Sequence, residues 1–179
     1  MTRKRLTRDE ARLRTRNDIL VAARQLFGRN GYRGASLEEI AENAGYSKGA
    51  VYSNWPSKEA LFLELLDAEM EAGEGQHANT DLSPTTWALA TLEFFVDAVN
   101  SPGMRSALAD RYESARSAYA QQIAQGRPDL DWASWNEIAS IVMAAGSGLI
   151  IQNAIDPKAL DPNLLHRTIS QLIDHTDVS

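Results

Sequence analysis

The chain has 179 residues, 44% of them hydrophobic and 23% charged, with a net charge of −6. That is enough for one ordinary domain, or a small domain and a larger one, with a globular rather than disordered composition. There is no cysteine, which excludes disulfides, thiolate metal sites and thiol redox sensing.

The net charge hides an asymmetry. Residues 1–60 carry 12 Lys/Arg against 7 Asp/Glu, whereas residues 61–179 carry 6 against 17. A basic first third on an acidic remainder suits one end that faces a polyanion, although a charged stretch by itself is usually a solvated face. The longest unbroken apolar stretches fall far short of the ~20 residues needed to span a bilayer. No apolar region follows the basic N-terminus, as a secretory signal would require. The simplest expectation is a cytoplasmic protein without a membrane partner.

Residues 1–15 read as a basic arm, with Arg3, Lys4, Arg5, Arg8, Arg12 and Arg14, turning helical near Asp9. From Arg16 the spacing is helical: Ile19, Leu20, Ala23, Leu26 and Phe27 recur at intervals of three and four. Asn30-Gly31 should end this helix, because glycine accepts a positive φ. Ser36 with Glu39 forms a capping box and starts a second helix, whose inward face is Leu37, Ile40, Ala41 and Ala44. Gly45 is a turn, and Ser47 caps a third helix of about two turns that ends before Trp55-Pro56. Ser57 caps a fourth, with Leu61, Phe62, Leu65 and Leu66 on its apolar face.

Residues 72–84 form a break of small and polar residues. Further helices are expected over Thr85–Asn100, Met104–Gln125, Leu130–Ala154 and Asn163–Asp174, separated by Ser101-Pro102-Gly103, Gly126-Arg127-Pro128 and Asp156-Pro157. No segment sustains period-two alternation, so the fold class is all-α.

Two short helices joined by a glycine turn outline a helix-turn-helix, which lays one helix across a DNA backbone and the next in the major groove. In the third helix Val51 is the apolar anchor, leaving Lys48, Gly49, Ala50, Tyr52, Ser53 and Asn54 to face outward. Gly49 and Ala50 permit close approach to base edges, and Ala50 suits a thymine methyl. Lys48 suits guanine O6/N7 or a phosphate, and Tyr52 and Lys58 suit phosphate oxygens. Trp55 reads as a core aromatic. His77, His166 and His175 are scattered, and no HExxH, Ser/His or phosphate-loop pattern occurs. Neither catalysis nor a cofactor is therefore expected.

Roughly the first 66 residues resemble the DNA-binding domain of the TetR family of transcriptional regulators. The likeness is carried by Arg16 before Ile19-Leu20, Ala22-Ala23, Leu26-Phe27, Gly31-Tyr32, Ser36-Leu37, Ile40-Ala41 and Ala44-Gly45. It continues through Ser47-Lys48-Gly49-Ala50-Val51-Tyr52 and Ser57-Lys58-Glu59. The resemblance implies an N-terminal three-helix helix-turn-helix domain, residues 1–56, joined to a C-terminal helical ligand-binding and dimerisation domain, residues 57–179. It implies nine or ten helices, dimerisation through the last two long ones, and a pocket whose small-molecule ligand releases operator DNA. By position it assigns base contacts to Lys48, Gly49 and Ala50, and base or phosphate contacts to Ser53 and Asn54. Backbone contacts go to Arg16, Ser36, Ser47, Tyr52 and Lys58. Ala35 departs from the threonine common in the family, and Tyr46 from a small aliphatic residue; Tyr46 is long enough to reach the DNA backbone.

For the C-terminal half, Gly146, Gly148 and Leu149, with Ile169, Leu172 and Ile173 on the last helix, are the expected dimer face, since small residues let helices approach closely. Trp87, Phe94, Met104, Tyr112, Tyr119, Trp135 and Met143 are candidate lining for an apolar or aromatic effector, with ordinary core as the competing role for each. The expected function is a homodimeric regulator of a palindromic operator, a repressor released by a small molecule. The alternatives are a constitutive DNA-binding protein without effector, or an activator.

Overall fold

The structure, a computed structural model, describes residues 7–72, 84–125 and 132–156, together with positions 158, 161, 164, 167 and 168. Seven helices cover the continuous segments: α1 Arg8–Gly34, α2 Leu37–Ala44, α3 Lys48–Tyr52, α4 Lys58–Ala72, α5 Pro84–Asn100, α6 Pro102–Ala124 and α7 Trp132–Ile155. No strand occurs among the described residues. The chain divides into two compact units between Asn100 and Ser101.

Helix α1 starts at Arg8, next to the expected onset near Asp9. Thr7 caps the helix by accepting from the Glu10 amide at 3.2 Å, while Glu10 accepts from the Thr7 amide at 2.7 Å. This capping box draws residues 8–15 into the helix, and only residues 1–6 of the expected arm lie outside the described residues. At the other end Gly31 has φ 75° and ψ 170°, a conformation open to glycine and strained for other residues. It breaks the regular helix at the expected place. Gly45 ends α2 in the left-handed region (φ 74°, ψ 26°), donating to the carbonyls of Ala41 and Glu42.

The first unit is organised around Phe62 of α4. Its ring centroid lies 5.0 Å from Phe27 and 4.9 Å from Tyr32 of α1, and 5.2 Å from Trp87 and 4.7 Å from Phe94 of α5. Edge-on and offset ring pairs of this kind add to the burial of their large apolar area. This cluster ties α4 and α5 to α1, so the expected 56/57 domain boundary falls inside one compact unit. Two ionic contacts reinforce the seam. Arg33 donates to both carboxylate oxygens of Asp97, at 2.6 and 3.2 Å from Oδ1 and 3.3 Å from Oδ2, and its amide donates to Glu93 at 3.0 Å.

In the second unit α6 packs on α7 through Ala120, Trp135 and Ala139, flanked by Tyr119, Ala124 and Ile138. Pro102 sits at the first position of α6, where its missing N–H is no loss. Trp135–Ile155 is long and apolar enough, by length and composition alone, to cross a membrane, with a mean hydropathy of 1.7. This corrects the expectation from unbroken stretches. Glu137, Ser140 and Ser147 interrupt the run but barely lower the average of a sequence otherwise rich in Ala and Ile. Little of this segment is buried within the chain, and Ile141 and Ile155 are 68% and 80% exposed.

Candidate nucleic-acid interface

Helices α2 and α3 are joined through the left-handed Gly45, and each starts at a serine cap. Ser36 Oγ accepts from the Glu39 amide at 3.2 Å, and Glu39 accepts from the Ser36 amide at 3.0 Å and from its hydroxyl at 2.8 Å. Ser47 Oγ accepts from the Ala50 amide at 3.3 Å and starts α3. Val51 is the buried residue of α3 and is wholly inaccessible, while Lys48, Gly49, Tyr52 and Ser53 are exposed and Ala50 and Asn54 half-buried. Four of the six residues read as outward are exposed, and Ala50 and Asn54 are only partly so. A Cβ built on Gly49 meets nothing nearer than Ser47 Oγ at 3.8 Å, so packing within the chain does not demand a glycine there.

Several polar groups of the face are partly engaged. Ser53 Oγ donates to the Ala50 carbonyl at 2.9 Å, and Asn54 Nδ2 donates to the same oxygen at 2.8 Å. Tyr52, 43% exposed, donates its hydroxyl to Glu38 Oε1 at 3.4 Å. Lys48 forms an ion pair with that same oxygen and lies 5.6 Å from the Tyr52 ring centroid. Each partner favours the charged form of the other. The Lys48 hydrogen bond holds the Glu38 carboxyl below its ordinary value, and Glu38 raises the Lys48 ammonium.

Two expected phosphate ligands have other partners. Arg16 pairs with Glu64 of α4 and stacks over Trp55 at 4.7 Å, while the Trp55 indole N–H donates to the same Glu64 oxygen at 2.6 Å. Lys58 Nζ donates to the carbonyl oxygens of Tyr32 and Ala35 at 2.9 and 3.0 Å and lies 4.5 Å from the Tyr32 ring centroid. Both cations therefore join α4 and Trp55 to α1, a role set by orphan carbonyls at a helix end and by a long-range carboxylate. Ala35 is buried, and the Tyr46 hydroxyl donates to Asp18 of α1 at 2.8 Å instead of standing free for a DNA backbone. Trp55 is core, as expected. Glu38, Glu64 and Asp18 were not among the expected residues. No local spacing rule links them to partners on other helices.

The seven effector candidates are divided between the two units. Phe94 is fully buried in the aromatic cluster of the first unit, where Trp87 stacks on Phe62 and takes the Arg24 guanidinium over its ring at 5.2 Å. In the second unit Trp135 is core beside Tyr119, whereas Met104, Tyr112 and Met143 are half-buried. Burial is the main cause that pushes the Tyr112 phenol above its ordinary value. An open groove of about 540 Å³ between α6 and α7 is lined instead by Glu113, Arg116, Asn136, Glu137, Ser140 and Ile141. Of the expected dimer residues, Gly146, Gly148 and Leu149 are half-buried on α7, and Ile169, Leu172 and Ile173 lie outside the described residues.

Residues 19–65 match the profile of bacterial regulatory proteins of the tetR family, and residues 66–177 match that of the BetI-type transcriptional repressor C-terminal domain. The chain belongs to the TetR family. Among curated relatives, the HTH-type transcriptional activator FasR of Mycolicibacterium smegmatis is 32% identical over 122 residues, 65% of this chain and 54% of FasR. The repressor AcnR of Corynebacterium diphtheriae is 42% identical over 50 residues, 28% of this chain and 26% of AcnR. The chain thus spans about half the length of the first of these relatives and about a quarter of the second. Two solved structures share the TetR fold. A TetR-family regulator from Rhodococcus sp. superposes with a TM-score of 0.63 at 21% identity, covering 90% of this chain and 97% of its own. GusR of Salmonella enterica superposes with a TM-score of 0.62 at 22% identity, covering 96% and 100%.

Proposed function

We propose that this TetR-family chain is a sequence-specific, DNA-binding transcriptional regulator that acts by binding rather than catalysis, in the cytoplasm. The observation that carries this is the division of α3: Val51 anchors it, while Lys48, Gly49, Tyr52 and Ser53 stand exposed on one short, doubly capped helix. Such a helix fits the major groove, with Val51 alone of its residues committed to the core. The base-reading set is Lys48, Gly49, Ala50, Ser53 and Asn54, with Ser36, Ser47 and Tyr52 on the phosphates. Arg16 and Lys58 act indirectly, by holding the reading unit together.

The working form is a homodimer on a palindromic operator. Ile141, Gly148, Ile151 and Ile155 recur at intervals of seven, three and four along α7, and the three isoleucines are exposed. This stripe supports a helical face that meets a second copy, with Gly148 allowing close approach: a Cβ there meets nothing within 4 Å. Gly146 and Leu149 lie off this stripe on α7, with Gly146 on roughly the opposite side of the helix, and Ile169, Leu172 and Ile173, outside the described residues, stay proposed dimer residues from the sequence. A small apolar or aromatic effector modulates operator binding, with Met104, Tyr112 and Met143 the candidate lining that core packing leaves half-exposed. The match to a repressor C-terminal domain favours repression. The longer match to the activator FasR keeps activation as the second reading.

The test is a gel shift with the DNA that flanks this protein's own gene, titrated in salt. A specific shift that weakens steeply with salt supports operator binding. Failure both there and in selection from a random duplex pool overturns it.

A further inference from the structure

Glu38 is an anomaly on a surface proposed to meet DNA. It occupies the second position of α2, is half exposed, and presents its carboxylate beside Lys48 and Tyr52 of α3. A fixed negative charge there repels phosphate oxygens and neutralises the cation of the reading helix. A carboxylate in the first turn of α2 suits the helix dipole, but the capping box is made by Glu39, and neither accounts for a carboxylate set against the cation of α3. The ion pair does not explain it as a stability device either, because exposed pairs of this kind contribute little.

We infer that Glu38 is a specificity-determining residue that works with Lys48 as one donor–acceptor head, reading a single G·C base pair in the major groove. The inference rests on the DNA-reading function proposed above. The chemistry is complementary on both sides. An ammonium has three N–H donors and a carboxylate about four acceptor sites. The mutual pair and the Tyr52 contact both fall on Oε1 of Glu38, leaving donors on Lys48 and acceptor capacity on the carboxylate. Guanine offers O6 and N7 as adjacent acceptors, and the paired cytosine offers its N4 amino group as a donor. Lys48 takes the guanine and Glu38 the cytosine amino group. A phosphate offers acceptors only, so the same head discriminates against it. Tyr52 keeps the carboxylate turned toward α3 and thus toward the groove.

The test uses the full chain and the duplex that wild type enriches from a random pool. Binding is followed by fluorescence anisotropy against that duplex, against single-pair variants and against a scrambled duplex. Glu38→Gln should bind the scrambled duplex several-fold more tightly, with a steeper salt dependence, since Lys48 is released to phosphate. Its preference for G·C at one position of each half-site should fall about tenfold. Lys48→Ala should lose preference at that same position, and the double variant should lose no more than either single one. A parallel change of Glu38→Gln on all duplexes with preference intact, no change at all, or a loss of preference at an A·T position overturns the inference while leaving DNA reading standing. A wild type that enriches no sequence overturns both.

Discussion

Lys58 points its ammonium at the Tyr32 carbonyl oxygen, 2.9 Å away, and lies over the ring of the same tyrosine. Its charge therefore closes the end of α1 against the start of α4. Lys58→Ala should cost about 1.5–3 kcal/mol, the range for hydrogen bonds to a charged group, measured by urea denaturation. The salt slope of DNA binding should stay unchanged. A slope reduced by about one unit would instead assign Lys58 to a phosphate.

Gly49 separates stability from binding. Alanine fits within the chain and is the better helix former, so Gly49→Ala should raise stability by up to about 1 kcal/mol. The added methyl stands on the exposed side of α3, so operator affinity should drop at least several-fold. A variant that is both more stable and unimpaired in DNA binding would remove α3 from the groove.

Gly31 places two costs on any side chain. A Cβ would come within 2.7 Å of a Glu93 oxygen, and the backbone is held at φ +75°. The first is avoidable, since a carboxylate at the end of a flexible chain moves aside. The second is not. Gly31→Ala should lose about 1–3 kcal/mol, and the loss should persist largely intact in the Glu93→Ala background. Full recovery there would show that contact, not backbone strain, was the cause.

These positions also show what a sequence can carry. The caps at Ser36 and Ser47, the turn at Gly45 and the anchor Val51 depend on neighbours within four residues, and each was legible. The onset of α1 near Asp9 was legible, while the cap at Thr7 was not read. Glu64 was not. It lies 48 residues from Arg16, and only the packing of α4 on α1 brings the two together. Lys58 and Glu38 are the same case: the residue type suits DNA or solvent, and the tertiary partner decides. Phe94 and Trp135 were legible as core or as pocket, and burial separates the two.

Acid should weaken the seam between α1 and α5. The Arg33 hydrogen bond holds the Asp97 carboxyl below its ordinary value. A depressed carboxyl contributes stability above the unfolded value, about 3.9, and that contribution is lost as pH falls through the lower folded one. Wild type should therefore melt above Asp97→Asn at neutral pH, with the gap closing below about pH 4. A gap independent of pH would detach Asp97 from the acid limb.

The dimer face is open to a direct test. Ile151→Glu should shift the sedimenting species from two copies toward one and abolish binding to a two-half-site duplex, while helical content stays constant. An unchanged sedimentation coefficient would place the contact elsewhere.

The pairing of Lys48 with Glu38, of Arg16 with Glu64 and of Arg33 with Asp97 has a consequence for how such a protein lives among a whole chromosome. Three of the cations that make its first third look basic already have carboxylates of their own. In the proposed DNA-binding role, its grip on arbitrary sequence would be weakened accordingly, and fewer molecules would be held at decoy sites. A small number of copies then suffices to keep one operator occupied.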